Sequence, residues 1–492
     1  MQNTISEPSH NQLSYNPKDW QKGYLSQPNE YNYTITNIDG EIPPDLKGTL
    51  FRNGPGLLDI GGLPIHHPFD GDGMISAIRF QDGQAHYQNR YVRTLGYIDE
   101  QQAKTILYRG VFGTQKPGGF LHNAFDLRIK NIANTQVIYW GGKLLALWEA
   151  DLPYHLNHET LETIGLDHLD GILEPGESFA AHPRIDPSSK FNDGSPSLVN
   201  FSIKPGLSTT IRIYELDSHG SLLQKYAHTV PGFAFIHDFA ITPNYCIFFQ
   251  NPVKFNPLPY LFGLCGAGQC VHFQTNQPTR IIVIPRDPAQ RQNIRHFDAQ
   301  SGFVFHHANA FEQENQICVD SICYQSLPGV DPQANFRDTD FNALEPGQLW
   351  RFTLDLTTGQ VQRQLIESRC CEFPTTHPNS VGRPYRYLYA AAAHNSQGNA
   401  PLQAIIKFDL ETGLRQLWTA APHGFTGEPV FVPRPHATSE DDGWLLTLVY
   451  DAQHHRSDVV ILDAKNLEKN AIATLHLQHH IPYGLHGTFA NI

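Results

Sequence analysis

Four histidines stand in compact motifs that could build a metal centre: His182 in AHPRID, His237 in FAFIHDFAITP, His306 in FVFHHANAFE and His486 in IPYGLHGTF. Neutral imidazoles suit iron, zinc, copper or nickel. The separations of 55, 69 and 180 residues are far longer than those of a zinc finger or an HExxH helix. Only a fold that returns distant strands to one point can assemble such a set. His307 follows His306 directly, and successive side chains of a strand point to opposite faces, so at most one of this pair is a ligand.

Four imidazoles without a carboxylate leave the full charge of a divalent metal uncompensated by its ligands. Three glutamates stand alone in apolar, aromatic, Gly-rich or Pro-rich stretches: Glu149 in LLALWEADLPY, Glu372 in RCCEFPTTHP and Glu428 in FTGEPVFVP. An unpaired carboxylate there would be costly to bury. One that accepts the outer N–H of a metal-bound histidine is satisfied, and fixes that ligand's tautomer and orientation.

The elements that must position these groups read as strands. One phrase recurs as YELDSHGSLLQ, FTLDLTTGQVQ and FDLETGLRQLW, with looser echoes in IRFQDGQAHY and VILDAKNLEKNA. Each is an apolar run, a turn and a second run, the pattern of a hairpin. Hairpins over the full length, with 39 Gly and 35 Pro, predict an all-β fold of radially repeated sheets, a β-propeller. The repeats are too degenerate to count blades. Residues 1–15 are polar and expected to form a disordered tail, and no linker divides 16–492, which is expected to be one domain.

Composition narrows the partners. A net charge of −13 argues against nucleic acid and against electrostatic attachment to an anionic membrane. The amino-terminal segment has no apolar core of a secretory signal, and no stretch is long and apolar enough to span a bilayer. Seven cysteines without CxxC spacing fit free thiols in a reducing cytosol. No GxGxxG or CxxCH motif occurs, so neither a nucleotide reductant nor an attached haem is expected. In HPFDGDGM, Asp70 and Asp72 are spaced as in a calcium loop, but the fifth position is Met74 and the twelfth Gln81, so a structural turn is expected instead.

Together with GTLFRNGPG (48–56) and HPFDGDGM (67–74), the histidine and glutamate motifs make nine ordered segments that resemble the carotenoid cleavage oxygenases, from about Tyr15 to the carboxyl terminus. The resemblance implies a seven-bladed β-propeller with a helical and loop cap over an axial non-haem Fe(II). It implies His182, His237, His306 and His486 as ligands, His306 rather than His307, with Glu149, Glu372 and Glu428 bonded to three of them. It also places Thr135 in NIANTQ beside an open coordination position.

Phe69, Phe112, Trp148, Phe235, Phe305 and Phe373 each lie beside a motif residue, where the family lines a tunnel for an extended polyene. The run Leu258–Leu264 carries no charge; by residue type it could be buried, whereas the resemblance implies an exposed patch that dips into a membrane. The implied protein is cytoplasmic, peripherally membrane-associated and monomeric. The implied reaction is O2-dependent scission of a conjugated C=C bond, most closely the 15,15' bond of apocarotenals or apocarotenols, giving retinal and a shorter dialdehyde. The alternatives are scission of a stilbene, scission at a different carotenoid bond, isomerisation of a retinyl ester on the same iron, and a metal-free interaction scaffold.

Overall fold

The computed structural model describes residues 14–327 and 335–492. Seven antiparallel sheets form the blades of a β-propeller. From the axis outward, blade 1 contains Gly487–Ala490, Gly48–Arg52, Asp72–Gln81, Gln84–Tyr91 and Asn32–Thr34. The innermost strands of blades 2 to 6 are Gln136–Trp140, Arg184–Asp186, Phe239–Ile241, Phe303–Gln313 and Cys371–Thr376. In blade 7, Gly424–Thr426 and Val430–Pro433 both pair with Gly443–Asp451 on the inner side, and Ile38–Gly40 forms the outer edge. The ring is closed from both ends of the chain: the carboxyl-terminal strand is the inner strand of blade 1, and an amino-terminal strand completes blade 7.

All five recurring phrases become the hairpin between the third and fourth strands of a blade. The turn chemistry explains why they recur. Asp217, Asp355 and Asp409 each accept two backbone N–H bonds from the turn that follows. The glycines Gly220, Gly359 and Gly413 close those turns at φ of 83°, 76° and 78°, a region that disfavours other residues.

Seven apolar clusters fill the spaces between neighbouring blades, one for each pair. Leu50 and Ile78 of blade 1 meet Leu446 and Leu475 of blade 7. Phe51 and Ile75 on the other face of blade 1 meet Val137 and Leu144 of blade 2. Second strands such as Gly48–Arg52, Tyr387–Ala393 and Gly443–Asp451 are therefore buried on both faces, which is why these segments read as near-continuous hydrophobic runs.

Between blades 3 and 4 a buried charged group adjoins the apolar cluster. Arg286 is fully buried and pairs with Glu215 and, at 2.8 Å, with Asp186. Removing one partner of such a set leaves uncompensated buried charge. Arg286→Met is expected to cost about 3–5 kcal/mol, read as a lower denaturant midpoint in urea.

A cap of loops and short helices, including Leu95–Ala103, Phe120–Asn123 and Pro257–Leu261, covers one end of the propeller. No described helix is long and apolar enough to cross a membrane. Of the segment read as a tail, residues 1–13 lie outside the described residues. Ser14 and Tyr15 are packed: Ser14 donates to Gln403, and the Tyr15 ring meets Phe341 and Phe425 edge-on.

Candidate metal centre

The propeller brings one motif residue from every blade to the axis. His486 immediately precedes the inner strand of blade 1, His182 lies two residues before that of blade 3, and His237 two residues before that of blade 4. His306 lies within the inner strand of blade 5. The glutamates come from the other three blades: Glu149 follows the second strand of blade 2, Glu372 lies in the inner strand of blade 6, and Glu428 sits between the inner strands of blade 7.

One ring nitrogen from each of the four histidines lies within 4.8 Å of all the others. On the outer side of three rings, Nδ1 meets a carboxylate: His237 with Glu149 at 2.5 Å, His306 with Glu372 at 2.6 Å and His486 with Glu428 at 2.8 Å. These contacts fix Nδ1 as the protonated nitrogen and turn Nε2 inward. The adjacent His307 is excluded, as alternation requires: it is buried, and its Nδ1 pairs with the Ser321 hydroxyl at 2.7 Å. The pairing register shifts on both sides of His307, a bulge that re-aims the ligand strand. A second irregularity follows Glu372, where Phe373 adopts φ of 55°.

The electrostatics match a cation. Burial, followed by the three neighbouring imidazoles, holds His182 well below the ordinary histidine pKa, so its ring is neutral and able to ligate. Burial raises Glu372, but the charge and hydrogen bond of His306 outweigh it, and the carboxyl lies below its ordinary value. Glu428 behaves in the same way, through His486 and Arg52.

The donor set fits a metal ion. The inward Nε2 of His306 is buried with no hydrogen-bond partner, a cost that coordination removes. Three carboxylates against the one Arg52 guanidinium leave a formal charge of −2 around the imidazoles, which a divalent cation cancels.

Several supporting residues were not singled out from sequence. Arg52 pairs with Glu428 at 2.5 Å and donates to the Leu485 carbonyl, which precedes His486. The Gly487 N–H also donates to Glu428. The Tyr324 hydroxyl donates to Glu372 at 2.9 Å. Arg52 lies in GTLFRNGPG, so its motif was visible although its partner was not.

Thr135 lies beside His486, whose N–H donates to the Thr135 carbonyl at 3.2 Å; its hydroxyl donates to the Asn134 side chain. Of the aromatic residues, Phe305 packs edge-on to His237 at 5.6 Å. Phe373 lies 5.7 Å from His306 and 5.2 Å from His486. Phe235 continues this wall through Phe303. Phe69 and Phe112 form a separate edge-on pair with His67. Trp148 is buried, beside a cleft also lined by Ile65, Val111 and Ile129.

HPFDGDGM is structural, as expected. Asp70 accepts from the Phe112 and Thr114 backbones and the Thr114 hydroxyl, and Asp72 pairs with Lys130 at 2.7 Å.

The Leu258–Leu264 segment opens as the short helix Pro257–Leu261, with Leu258, Phe262 and Leu264 exposed. Tyr260 instead turns inward, under the Arg109 guanidinium at 4.0 Å. The Leu261 carbonyl accepts from the Phe125 N–H, and Phe262 meets the Phe125 ring. This joins the segment to a second apolar stretch that sequence reading missed, with Phe120, Leu121, Phe125 and Leu127 exposed. Its signal, GGFLHNAFDL, was present but is interrupted by polar residues.

The chain is 59% identical to apocarotenoid-15,15'-oxygenase of Synechocystis over 98% of both chains. It is 30% identical to carotenoid 9,10(9',10')-cleavage dioxygenase 1 of Phaseolus vulgaris, over 92% of this chain and 85% of that one. It is 32% identical to isoeugenol monooxygenase of Pseudomonas putida, over 93% and 95%. The crystal structure of cobalt-substituted Synechocystis ACO superposes with a TM-score of 0.96 at 59% identity, covering 98% of this chain and all of that one. The family model described as retinal pigment epithelial membrane protein matches residues 24–491. With four imidazoles gathered on a seven-bladed propeller and backed by three carboxylates, the chain belongs to the retinal pigment epithelial membrane protein family, the carotenoid oxygenases.

Proposed function

We propose that this protein is an Fe(II)-dependent apocarotenoid-15,15'-oxygenase, which cleaves apocarotenals such as 8'-apo-β-carotenal with O2 to give retinal and a shorter dialdehyde, or the corresponding apocarotenols to give retinal and a shorter hydroxyaldehyde. The observation that carries this reading is the convergence of four imidazoles, three of them oriented by carboxylates, at the propeller axis. The 59% identity to the Synechocystis enzyme supports the choice of substrate and bond over those of the more distant relatives.

His182, His237, His306 and His486 would hold the iron, which when bound supplies the activation of dioxygen. The protein's own groups then do three things. Glu149, Glu372 and Glu428 keep the outer Nδ1 protons in place, so that no ligand changes tautomer during turnover. Phe305 and Phe373, with Phe235 behind them, give a polyene an apolar wall at the imidazoles, so the bond cut is the one held there. Thr135, beside His486, narrows access on that side of the site. Phe69, Phe112 and Trp148 would line the approach. No side-chain nucleophile or general base is needed, because both product oxygens replace one C=C bond without proton transfer.

Purified protein loaded with Fe(II) and given 8'-apo-β-carotenal in detergent is expected to form retinal in air and none without oxygen, by chromatography. Product from a stilbene or isoeugenol alone, or carotenoid products of other lengths, would overturn the assignment of substrate or bond. Turnover that persists without oxygen would overturn the oxygenase.

The substrate's insolubility in water requires a membrane source. Leu258, Phe262 and Leu264, with Phe120, Leu121 and Phe125, make an uncharged patch suited to monotopic docking by a single copy of the chain on a cytoplasmic membrane surface. Each exposed Leu or Phe buried in lipid is worth about 1.5–3 kcal/mol. A Leu258→Ser/Phe262→Ser variant is therefore expected to bind neutral vesicles more than tenfold more weakly in sedimentation. Parent binding should be insensitive to salt, because attachment is apolar.

A further inference from the structure

Three of the four imidazoles are oriented by a carboxylate; the fourth, His182, meets none among the described residues. Its segment is held in another way. Arg184, two residues on, sends its Nη2 to Asp238 Oδ2 at 2.5 Å and to the His307 carbonyl at 2.7 Å, and its Nε to the Phe239 carbonyl at 3.0 Å. Asp238 Oδ2 also accepts the His307 N–H at 2.8 Å, and its Oδ1 the Phe239 N–H at 2.7 Å. Asp238 follows His237 directly, and His307 follows His306. One guanidinium and one carboxylate thus join the backbones that carry three ligands, from blades 3, 4 and 5.

We propose that Arg184 and Asp238 form a clamp that positions His182 relative to His237 and His306, in place of the carboxylate that His182 lacks. Arginine suits the task because its planar fork presents donors in fixed directions, and two of them reach separate strands here. Asp238 is 3% exposed, so water cannot substitute for a lost partner. The pair acts through the ligand backbones and touches neither substrate nor the inward nitrogens; both are positioning residues. The proposal rests on the four-histidine site being a metal centre.

The test uses the full-length protein and Co(II) as the probe, read by chelator-competition affinity and by the ligand-field spectrum of the loaded protein. Failure of the parent to bind Co(II) would refute the metal centre itself; only the ratio of variant to parent tests the clamp. Arg184→Met is expected to bind Co(II) at least tenfold more weakly, the range for residues that orient ligands, with an altered spectrum. Arg184→Lys, which keeps the charge and can still reach Asp238 and the His307 carbonyl, is expected to recover part of both.

Lys407→Met breaks a buried ion pair with Asp441 on the third strand of blade 6, Leu402–Asp409, which pairs with no ligand-bearing strand, and is expected to lower the melting temperature while leaving affinity and spectrum unchanged. Parent-like affinity and spectrum in Arg184→Met would overturn the proposal. So would their full restoration in Arg184→Met/Asp238→Asn, because compensation of a buried charge would then be the whole effect. If Arg184→Met does not fold, Asp238→Asn decides: a weaker shift in the same direction supports the clamp, and parent values in both readouts refute it.

Discussion

Replacing His306 with alanine is expected to abolish both metal retention and cleavage, the largest effect of any single substitution. His306 has a buried, unpartnered Nε2, and its outer nitrogen is bonded to Glu372. Without the ring, three imidazoles remain, and Glu372 keeps the Tyr324 hydroxyl and the Phe373 N–H as donors. The check is metal content by mass spectrometry together with product chromatography. Thermal unfolding gives an independent reading. Free metal at a hundred times its dissociation constant stabilises a folded site by about 2.7 kcal/mol, so added Fe(II) should raise the parent's melting temperature and leave His306→Ala unmoved. His307→Ala should retain the metal, since that ring pairs with Ser321 and not with the site. Equal metal content in parent and His306→Ala would refute the ligand assignment.

Glu428→Gln is expected to produce the second largest effect, and on two readouts at once. Glu428 accepts on both sides: Oε1 from His486, Oε2 from Arg52 and the Gly487 N–H. A glutamine offers one acceptor and one donor, so one of these sides must face a donor with a donor. Metal affinity should fall about 10- to 100-fold. Arg52, only 4% exposed, is left without its counter-charge, and stability should fall by about 3–5 kcal/mol. Glu149→Gln gives the contrast. The Glu149 side chain is 35% exposed and its ion pair is with His237 rather than a buried guanidinium, so solvent screens the change. That variant should lose metal affinity with little loss of stability. Equal stability losses in the two would indicate that Arg52 is not held by charge.

The two predictions separate what the residue types encode from what the fold adds. Histidines scattered over 305 positions and lone glutamates in apolar stretches are legible as a metal site, because imidazole and buried carboxylate each have few other satisfactory environments. The alternation rule already required that His306 and His307 part company. Which of them is the ligand is implied by the resemblance; the structure brings His306, not His307, to the other three imidazoles, through a bulge that no periodicity reveals.

The hairpin phrases were legible for a local reason as well: an aspartate that caps its own turn and a glycine at positive φ satisfy the backbone within about six residues. Blade number was not, because it depends on how neighbouring sheets pack, and the seven interblade clusters draw on apolar residues that look alike in sequence. The exposed apolar surface was half legible. Leu258–Leu264 stands out as an uncharged run, whereas Phe120–Leu127 joins it only through contacts such as Phe125 with Phe262.

Taken by itself, the sequence determined the chemistry available: four imidazoles able to ligate, three carboxylates able to orient them, an all-β chain to carry both, and an acidic charge that argues against nucleic acid. The tertiary structure alone decided the pairing, Glu149 with His237, Glu372 with His306 and Glu428 with His486, and the contacts of Arg52, Tyr324, Arg184 and Asp238. The physical reason is range. Propensity, alternation and turn chemistry act over a few residues and are written locally, whereas a hydrogen bond between positions 376 residues apart, as from Arg52 to Glu428, exists only once the ring has closed.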